Sequence, residues 1–168
     1  MNEIKLKNGN EVNLREAINS KDFMCISKLA EIIWPEVYKN VIDDEHIEFL
    51  LQKYFTLNNM KKYISEGFKY FIIEENEPIG FVSYKTFDDY IYLDKFYLLE
   101  HFRQKNIFKN FVENMHKETK KPLKLNVNQK NQEEITAYLK IGFTIEKEEK
   151  IKLNDKMTNI DFVMKYKK

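Results

Sequence analysis

A short basic segment, Arg103-Gln104-Lys105-Asn106, is the part of the sequence best suited to bind an anion. Residues Phe96 to Leu99 before it are typical of a strand, and apolar residues recur at helical spacing after it. A strand that leads into a helix through a tight turn directs the free N–H groups and the positive dipole end of the helix to one point. Two basic side chains strengthen that site, so the sequence predicts that the turn holds a phosphate or pyrophosphate.

A second segment, from Asn131 to Phe143, combines the signals of a capped helix with a tyrosine that could donate a proton. Asn131 is a helix-capping residue, and Glu134 follows at the position of a capping-box partner. Gly142 stands where a helix ends in a left-handed residue. Tyr138, taken alone, fits the apolar face of this helix and is then a core residue. A phenol at the mouth of a channel could also act as a general acid.

The elements that position these segments alternate between helical and strand periodicity. Asn8-Gly9-Asn10 predicts a hairpin turn, and Ser20 with Asp22 predicts a helix start. Trp34-Pro35 is expected to end or kink that helix. The other predicted elements are a helix after Asp43 or Asp44, a short helix at 58–65, strands at 68–74, 79–85 and 90–98, a helix from about Gln104 to Thr119, a strand at 123–128, a helix opened by Asn131, and strands at 143–148, 150–153 and 157–166.

The order of these elements predicts one mixed α/β domain over residues 1–168. Three strands on short turns form an antiparallel meander. The strand Leu123–Asn128 follows a helical crossover, so its simplest pairing is parallel with Tyr90–Leu98.

Composition excludes several classes of function. The 168 residues carry 28 basic and 27 acidic side chains, so a net charge of +1 predicts no nucleic-acid or membrane partner. The single cysteine, Cys25, predicts neither a disulfide nor a multi-cysteine metal site. The histidines lack metal-ligand spacing, so no metal is expected. Without an apolar run that could span a bilayer or a signal-peptide pattern, a cytoplasmic protein is expected.

The two segments, in this order, resemble the GNAT family of acyl-CoA-dependent N-acyltransferases. The cofactor turn of that family has the pattern R/Q-x-x-G-x-G/A, and the residues from Arg103 to Phe108 occupy it here. The later family motif, N-x-x-A-x-x-x-Y-x-x-x-G-F, is matched by Asn131, Tyr138 and Gly142-Phe143, with Glu134 in place of the small residue. The N-terminal helices look like those of the bacterial branch that contains diamine and polyamine acetyltransferases.

The resemblance implies a GNAT-like α/β fold. Its central twisted sheet is mostly antiparallel, with one splayed parallel strand pair and flanking helices. It also implies acetyl-CoA as co-substrate. The residues that it implies for binding the cofactor are Phe96, Tyr97, Leu98, Arg103, Gln104, Lys105, Asn106, Ile107, Phe108, Asn131 and Tyr138.

The cofactor turn departs from the family pattern at two positions. Asn106 stands where the family has glycine, and Asn adopts left-handed backbone conformations more readily than most residues. Phe108 stands where the family has glycine or alanine. Its ring either points inward in phase with the apolar face of the helix, which leaves its N–H available, or crowds the phosphates.

The same resemblance assigns catalytic roles. It implies that Tyr138 is the general acid that protonates the leaving thiolate. Backbone groups near Tyr97 and Leu98 would pair with the pantetheine arm, and an N–H there would polarise the thioester carbonyl. Asp94 is the best-placed candidate for the base that takes a proton from the substrate ammonium, directly or through water; otherwise it is a solvated strand charge.

The acceptor pocket is defined least by the sequence. Trp34 and Tyr38 could form an aromatic wall for a cationic or apolar acceptor. Glu36 and Asp94 could supply negative charge, although Glu36 alone is better explained as a surface charge. The expected acceptor is a small molecule with a primary amine: a polyamine, an amino sugar, an amino acid or a peptide N-terminus.

Two functions from different classes remain open at this stage. The leading one is an N-acetyltransferase that transfers the acetyl group directly in a ternary complex. The other is a catalytically weak or inactive module of the same fold that senses acyl-CoA or serves in an assembly. The turn at Asn106–Phe108 distinguishes them. The oligomeric state is open as well, and the exposed edge near the closing strand could join two copies in a homodimer.

Overall fold

The computed structural model describes residues 3–5 and 11–167, which form eight strands and five α-helices. The strands are Glu3–Lys5 (β1), Glu11–Glu16 (β2), Phe68–Glu75 (β3), Glu77–Thr86 (β4), Ile91–Leu98 (β5), Leu123–Asn128 (β6), Phe143–Lys152 (β7) and Thr158–Tyr166 (β8). The helices are Ser20–Tyr38 (α1), Asp44–Phe55 (α2), Leu57–Ser65 (α3), Ile107–Thr119 (α4) and Gln132–Ile141 (α5), with one 3-10 turn at Glu100–Phe102.

All eight strands form one mixed sheet in the order β1-β2-β3-β4-β5-β6-β8-β7. The predicted meander is confirmed by the antiparallel pairing of β3 with β4 and of β4 with β5. β1 and β2 pair antiparallel, as the hairpin prediction requires, whereas the turn at Asn8-Gly9-Asn10 lies outside the described residues. The mixed α/β fold class is therefore as predicted.

Among the described strands, β5 and β6 form the one parallel pair, which is as predicted and short. The two strands pair at Ile91 with Leu123 and at Tyr92 with Lys124, and they diverge beyond these residues. β5 continues to Leu98 on one side of the gap. The sheet therefore opens a wedge between the carboxyl ends of two neighbouring strands.

A β-bulge in β5 changes which side chains face this wedge. Ser83 of β4 lies opposite Lys95, and Tyr84 lies opposite Leu93, so Asp94 is the extra residue. Because a bulge interrupts the alternation of side chains along a strand, the consecutive residues Asp94 and Lys95 both line one cavity.

Two hydrophobic cores cover the two faces of the sheet. The core under α4 contains Ile107, Phe111, Val112 and Met115 together with side chains from strands on both sides of the wedge, including Leu93, Leu123 and Met164. The core under α1, α2 and α3 contains Ile26, Ile33, Leu50, Met60, Ile72 and Phe81. The first core therefore holds the two halves of the sheet together on one face.

Helix α1 differs from the prediction at both ends. Its N-cap is Asn19, whose side chain accepts from the backbone N–H groups of Lys21 and Asp22 in a complete capping box. The helix continues through Pro35 to Tyr38 rather than ending at Trp34-Pro35. The ring of Tyr38 packs 5.0 Å from that of Trp34, a contact that stabilises the last turn and carries Tyr38 to the sheet.

Helix α4 starts at Ile107, three residues after the predicted start near Gln104. The residues between β5 and α4 form the 3-10 turn and then a left-handed residue, Asn106. This arrangement brings the first turn of α4 beside the carboxyl end of β5. In the part of the chain described, each helix is too short or too polar to cross a membrane.

Candidate functional site

The predicted anion-binding turn has the backbone conformation that the family's glycine would supply. Asn106 is the N-cap residue of α4 and has φ 59° and ψ 17°, in the left-handed region. Its side chain makes no capping hydrogen bond. The N-cap side chains of the four other described α-helices, Asn19, Asp43, Thr56 and Asn131, all accept from backbone N–H groups. The first N–H groups of α4 thus receive no such cap and are available to another acceptor.

The side chain of Phe108 points into the protein. Its ring lies 5.0 Å from the ring of Phe96, 5.3 Å from Tyr138 and 6.1 Å from Phe143, between ring centroids. Ile107 is fully buried beside it. Of the two alternatives for Phe108, the inward one is correct, and its bulk does not cover the N-terminus of α4.

Arg103 connects the turn to β5 and to α1 through hydrogen bonds. Its Nε donates to the carbonyl oxygen of Leu98 at 2.9 Å, and its NH2 group donates to the carboxylate of Glu36 at 2.6 Å. The nitrogen Nζ of Lys105 lies 3.6 Å from the carboxylate of Glu75. Gln104 is exposed. Because both members of the Arg103–Glu36 pair are partly exposed, either can exchange this partner for a ligand at small cost.

Tyr138 and Glu134 form a half-buried pair one helical turn apart on α5. Their side chains are hydrogen-bonded. Burial, with the charge of Arg103 opposing it, raises the pKa of Glu134 to about 7. Burial and the adjacent Glu134 carboxylate raise the pKa of Tyr138 well above its usual value, so the phenol stays protonated at neutral pH.

Glu134 therefore does not complete the predicted capping box. The Asn131 side chain accepts from the Glu134 N–H at 3.2 Å, as expected of a cap. The N–H of Asn131 donates instead to the carbonyl oxygen of Asn128 at 2.8 Å. The Glu134 carboxylate is therefore available for its hydrogen bond with Tyr138. Asn131 is 5% exposed, and within residues 3–5 and 11–167 its Nδ2 finds no hydrogen-bond partner.

The hydroxyls of Tyr38 and Tyr97 share a hydrogen bond of 2.7 Å across the gap between α1 and β5. Trp34 is buried against both rings, with centroids 5.0 Å from Tyr38 and 5.4 Å from Tyr97. Burial raises the pKa of Tyr38, and the carboxylates of Glu134 and Asp161 raise it further. The Tyr38 hydroxyl therefore interacts electrostatically with carboxylates on both α5 and β8.

A cavity of about 130 Å³ fills the wedge between β5 and β6 on the face covered by α1 and α2. Its lining is largely aromatic and polar. The aromatic, charged and amide side chains of the lining include Trp34, Tyr38, Tyr54, Tyr92, Asp94, Lys95, Tyr97, Asn126, Asn128 and Asp161. Three of the four residues predicted for the acceptor, Trp34, Tyr38 and Asp94, line this cavity; Glu36 is instead exposed and pairs with Arg103.

Asp94 is paired with a buried lysine. The ammonium of Lys95 donates to the Asp94 carboxylate, and Lys95 is 5% exposed. Its Nζ also lies 4.5 Å from the ring centroid of Tyr54 and 5.5 Å from that of Tyr63, distances typical of cation–π contacts. Asp94 is thus neither a solvated strand charge nor a free carboxylate.

Sequence reasoning did not single out Asp161 or the contact of Glu134 with Tyr138. Asp161, on β8, is 8% exposed. Burial raises its pKa to about 6, and a hydrogen bond with the neighbouring Asn126 side chain partly offsets this rise. One signal was available, since Asp161 is an acidic residue inside the apolar run Ile160-Asp161-Phe162-Val163-Met164. No cluster of three or more metal-ligating side chains occurs among the residues that the structure describes.

The profile of the acetyltransferase (GNAT) domain family matches residues 38–163 of this chain. No curated protein matches the sequence significantly. The matched region is three quarters of the chain and includes the cofactor turn, α5 and both strands of the wedge.

Solved structures with the same fold are numerous. The N-acetyltransferase PaiA from Thermoplasma acidophilum, solved with coenzyme A, superposes with a TM-score of 0.73 at 20% identity, over 94% of this chain and 99% of that one. The ribosomal-protein-S18-alanine N-acetyltransferase from Escherichia coli gives 0.64 at 10% identity, over 92% of each chain. A chimera built on the spermidine N-acetyltransferase of Vibrio cholerae gives 0.60 at 14% identity, over 92% and 94%. By its family profile and its fold, the chain belongs to the GNAT acetyltransferase domain family.

Proposed function

We propose that this protein is an N-acetyltransferase that transfers the acetyl group of acetyl-CoA to a primary amine in a ternary complex. The observation that carries the proposal is the uncapped N-terminus of α4, which follows the left-handed Asn106 and lies beside the wedge between β5 and β6. In a GNAT chain, this combination joins a phosphate-binding turn to a slot and a proton donor.

Several residues fit coenzyme A. The first turn of α4 would hold the pyrophosphate through backbone N–H groups, with Arg103 and Lys105 near it. The buried Asn131 Nδ2, which has no partner among the residues described, would donate to a carbonyl of the pantetheine arm. Coenzyme A in the Thermoplasma acidophilum structure is consistent with this use of the fold.

The chemistry needs three proton transfers, of which the first gives the neutral amine. The neutral amine nitrogen forms a bond to the thioester carbonyl carbon while an N–H near Tyr97 or Leu98 stabilises the charge on the oxygen. The carbon–sulfur bond then breaks, the thiolate takes the phenolic proton of Tyr138, and the extra proton on the nitrogen returns to the Tyr138 phenolate. The products are an N-acetyl amide and free coenzyme A thiol.

The deprotonation of the acceptor ammonium is assigned to Asp94 acting through water. The Asp94 carboxylate shares its lone pairs with the ammonium of Lys95, which donates a hydrogen bond to it. From Asp94, the proton would pass to bulk water at the open side of the cavity.

The proposed function is tested by incubating the protein with acetyl-CoA and a panel of primary amines, and by following thiol release. Acetylation of at least one amine above the rate of hydrolysis is expected. Isothermal titration with acetyl-CoA measures binding of the cofactor independently of turnover. Binding without turnover on any amine would instead support the inactive binding module, and no binding at high micromolar acetyl-CoA would overturn both.

A further inference from the structure

We propose that Asp161 is the carboxylate that takes up, through water in the wedge cavity, the proton that the acceptor ammonium loses. This inference rests on the proposed function, and it competes with Asp94 for one step of that reaction. Because aliphatic primary amines are mostly protonated at neutral pH, the step is needed whichever amine is the acceptor. Three features support it: the hydrogen bonding of Asp161, the polar lining of the cavity and the charges around it.

Asp161 is a buried carboxylate with an unused oxygen. It lines the cavity and is 8% exposed. Its Oδ1 accepts no hydrogen bond from any residue in the described ranges 3–5 and 11–167. A buried oxygen without a donor is costly, and a hydrogen bond from water or a bound proton removes that cost. Oδ1 is therefore placed to accept a proton from the cavity.

Asp94 lines the same cavity and differs in its partners. Its carboxylate accepts a hydrogen bond from the buried ammonium of Lys95, which is also its counter-ion. The Nζ atom of Lys95 lies 4.5 Å from the ring centroid of Tyr54, so this ammonium is held in place from a second side. Of the two carboxylates in the lining, Asp161 is therefore the one whose oxygen is left for a ligand, a water molecule or a proton.

The cavity is large enough to hold the water that connects the acceptor to Asp161. Its volume of about 130 Å³ exceeds several times the roughly 30 Å³ that a water molecule occupies in the liquid. The buried Nε1 of Trp34, another lining residue, has no hydrogen-bond partner within the described part of the chain. This donor and the Oδ1 acceptor are complementary, and bridging water satisfies both. The amides of Asn126 and Asn128 supply further partners.

One wall of the cavity adjoins the proposed reaction centre. The side chain of Tyr97 lines the cavity, and its backbone is proposed to lie along the pantetheine arm. Its hydroxyl shares a hydrogen bond of 2.7 Å with that of Tyr38, which also belongs to the lining. Tyr97 interacts electrostatically with Tyr138, and Tyr38 interacts with Asp161. A proton that leaves an amine beside Tyr97 can therefore reach Asp161 through the cavity.

The surroundings of Asp161 make it a base suited to neutral pH. Burial raises its pKa to about 6, the Asn126 side chain opposes this rise, and the charge of Glu149, opposite Asp161 on β7, adds to it. The carboxylate is then ionised at pH 7, and its pKa lies close to the pH at which it must act. The other titratable groups that face it from α1, α2 and β5 are Tyr38, Tyr54, Tyr92 and the Asp94–Lys95 pair.

The proton balance of the step is complete. The ammonium nitrogen gives one proton to the nearest water, each water passes one proton on, and the last water donates to Oδ1 of Asp161. The products are a neutral amine, the same number of water molecules and an uncharged carboxyl group. Asp161 then returns the proton to bulk water at the open side of the cavity before the next turnover.

The test measures the pH dependence of kcat for the full chain with acetyl-CoA and a saturating amine from the panel. Because Asp161 must be ionised, the wild-type kcat should rise as pH increases through about 6. Asp161→Asn should lower kcat at pH 7 about 10²-fold or more and remove this rise, while the affinity for acetyl-CoA changes little. Asp155→Asn is the matched control, since Asp155 is an exposed aspartate outside the lining, and it should keep both kcat and the rise.

Glu149→Gln is a second variant that leaves the lining intact. Glu149 is partly exposed, and its charge adds to the effect of burial on the pKa of Asp161. Removing that charge should move the rise in kcat to lower pH without lowering its plateau. Should Asp161→Asn not fold, as judged by circular dichroism, this variant decides: a rise that moves to lower pH supports the role of Asp161, and a rise that stays in place overturns it.

The outcomes separate this inference from the proposed function. If the wild-type kcat does not change through pH 6, or if the rise persists in Asp161→Asn, Asp161 is not the base while acetyl transfer stands. A lower kcat with the rise retained would show a structural role only and would also overturn the inference. If the wild-type protein acetylates no amine, the proposed function fails and the role of Asp161 fails with it.

Discussion

Among the single residues of the site, Tyr138 and Glu134 are coupled most directly. The pKa of Tyr138 is raised by burial and by Glu134, so its phenol is protonated at every physiological pH. A phenolate beside an ionised carboxylate is unfavourable, because like charges at short range repel in a partly buried site. Proton donation by Tyr138 is therefore easier when Glu134 carries a proton, and the Glu134 pKa of about 7 makes that state accessible.

Removing the Tyr138 hydroxyl tests its role as general acid. Tyr138→Phe keeps the ring contacts with Phe108 and Phe143. We expect turnover to fall about 10²- to 10⁴-fold, while the affinity for acetyl-CoA, measured by calorimetry, changes little. Tyr90→Phe is the control, because Tyr90 stacks on Phe87 in a loop remote from α5 and should retain full activity. Unchanged turnover in Tyr138→Phe would refute the acid role.

Glu134→Gln should alter the dependence of stability on pH. The folded-state pKa of Glu134 is raised from 4.5 to about 7, so the folded protein binds the proton more tightly than the unfolded chain does. Its stability contribution is complete below the unfolded pKa and is lost as pH rises through about 7. The glutamine variant should therefore gain roughly 1–2 kcal/mol over wild type at pH 8 and almost nothing near pH 4. Urea unfolding at both pH values measures this difference, and an equal effect at the two would contradict it.

At the scale of elements, the turn between β5 and α4 depends on one left-handed residue. Asn106→Gly should keep or improve the affinity for acetyl-CoA, because glycine adopts the observed φ of 59° without a steric cost. Asn106→Val should weaken binding and lower stability by about 1–2 kcal/mol, since a β-branched residue is strained there. Calorimetry on the two variants gives the comparison. A large loss of affinity in Asn106→Gly would show that the asparagine side chain itself binds the ligand.

The end of β5 is fixed by a close approach of β4. A Cβ atom on Gly80 would lie 2.2 Å from the carbonyl oxygen of Tyr97 and 3.1 Å from Cα of Leu98. Gly80→Ala should therefore push β5 away and cost about 1–3 kcal/mol of stability. It should also raise the KM for acetyl-CoA, because the Tyr97–Leu98 backbone is proposed to pair with the cofactor. Thermal melting and steady-state kinetics test both effects; an unchanged melting temperature would contradict the steric argument.

The elements that the sequence predicted well are those with a strong local signal. Hydrophobic periodicity and turn residues predicted the boundaries of β3, β4, β5 and α2 to within a few residues. The rule for helical crossovers predicted the parallel pairing of β5 with β6. Of the two effects predicted for Pro35, ending the helix is wrong, since the aromatic packing of Tyr38 against Trp34 outweighs the local preference of proline. The bulge at Asp94 arises from pairing with β4, which no local pattern reports. Family resemblance located Asn106 and Tyr138, whereas residue patterns alone left Tyr138 as a core residue.

At the scale of the whole molecule, the two faces of the sheet have different tasks. The core under α4 includes side chains from both halves of the sheet and joins them. On the opposite face, the wedge stays open and is lined by residues from α1, β5, β6 and β8. Trp34, Tyr38 and Asp94 were predicted for one pocket, and they line this cavity. Asp161 was not predicted, because β8 is far from α1 and β5 in the chain and joins them only in the assembled sheet.

The strand order has a consequence for biosynthesis. β8 lies between β6 and β7 although the ribosome makes it after both, and β7 forms the edge of the sheet with β8 as its strand partner. A nascent chain that has emerged through α4 can pair β2 to β5 and form the anion-binding turn. Asp161 and the far wall of the cavity are added only when β8 enters the sheet. During synthesis, the turn proposed to bind the acyl donor therefore emerges before the strand that completes the lining of the cavity.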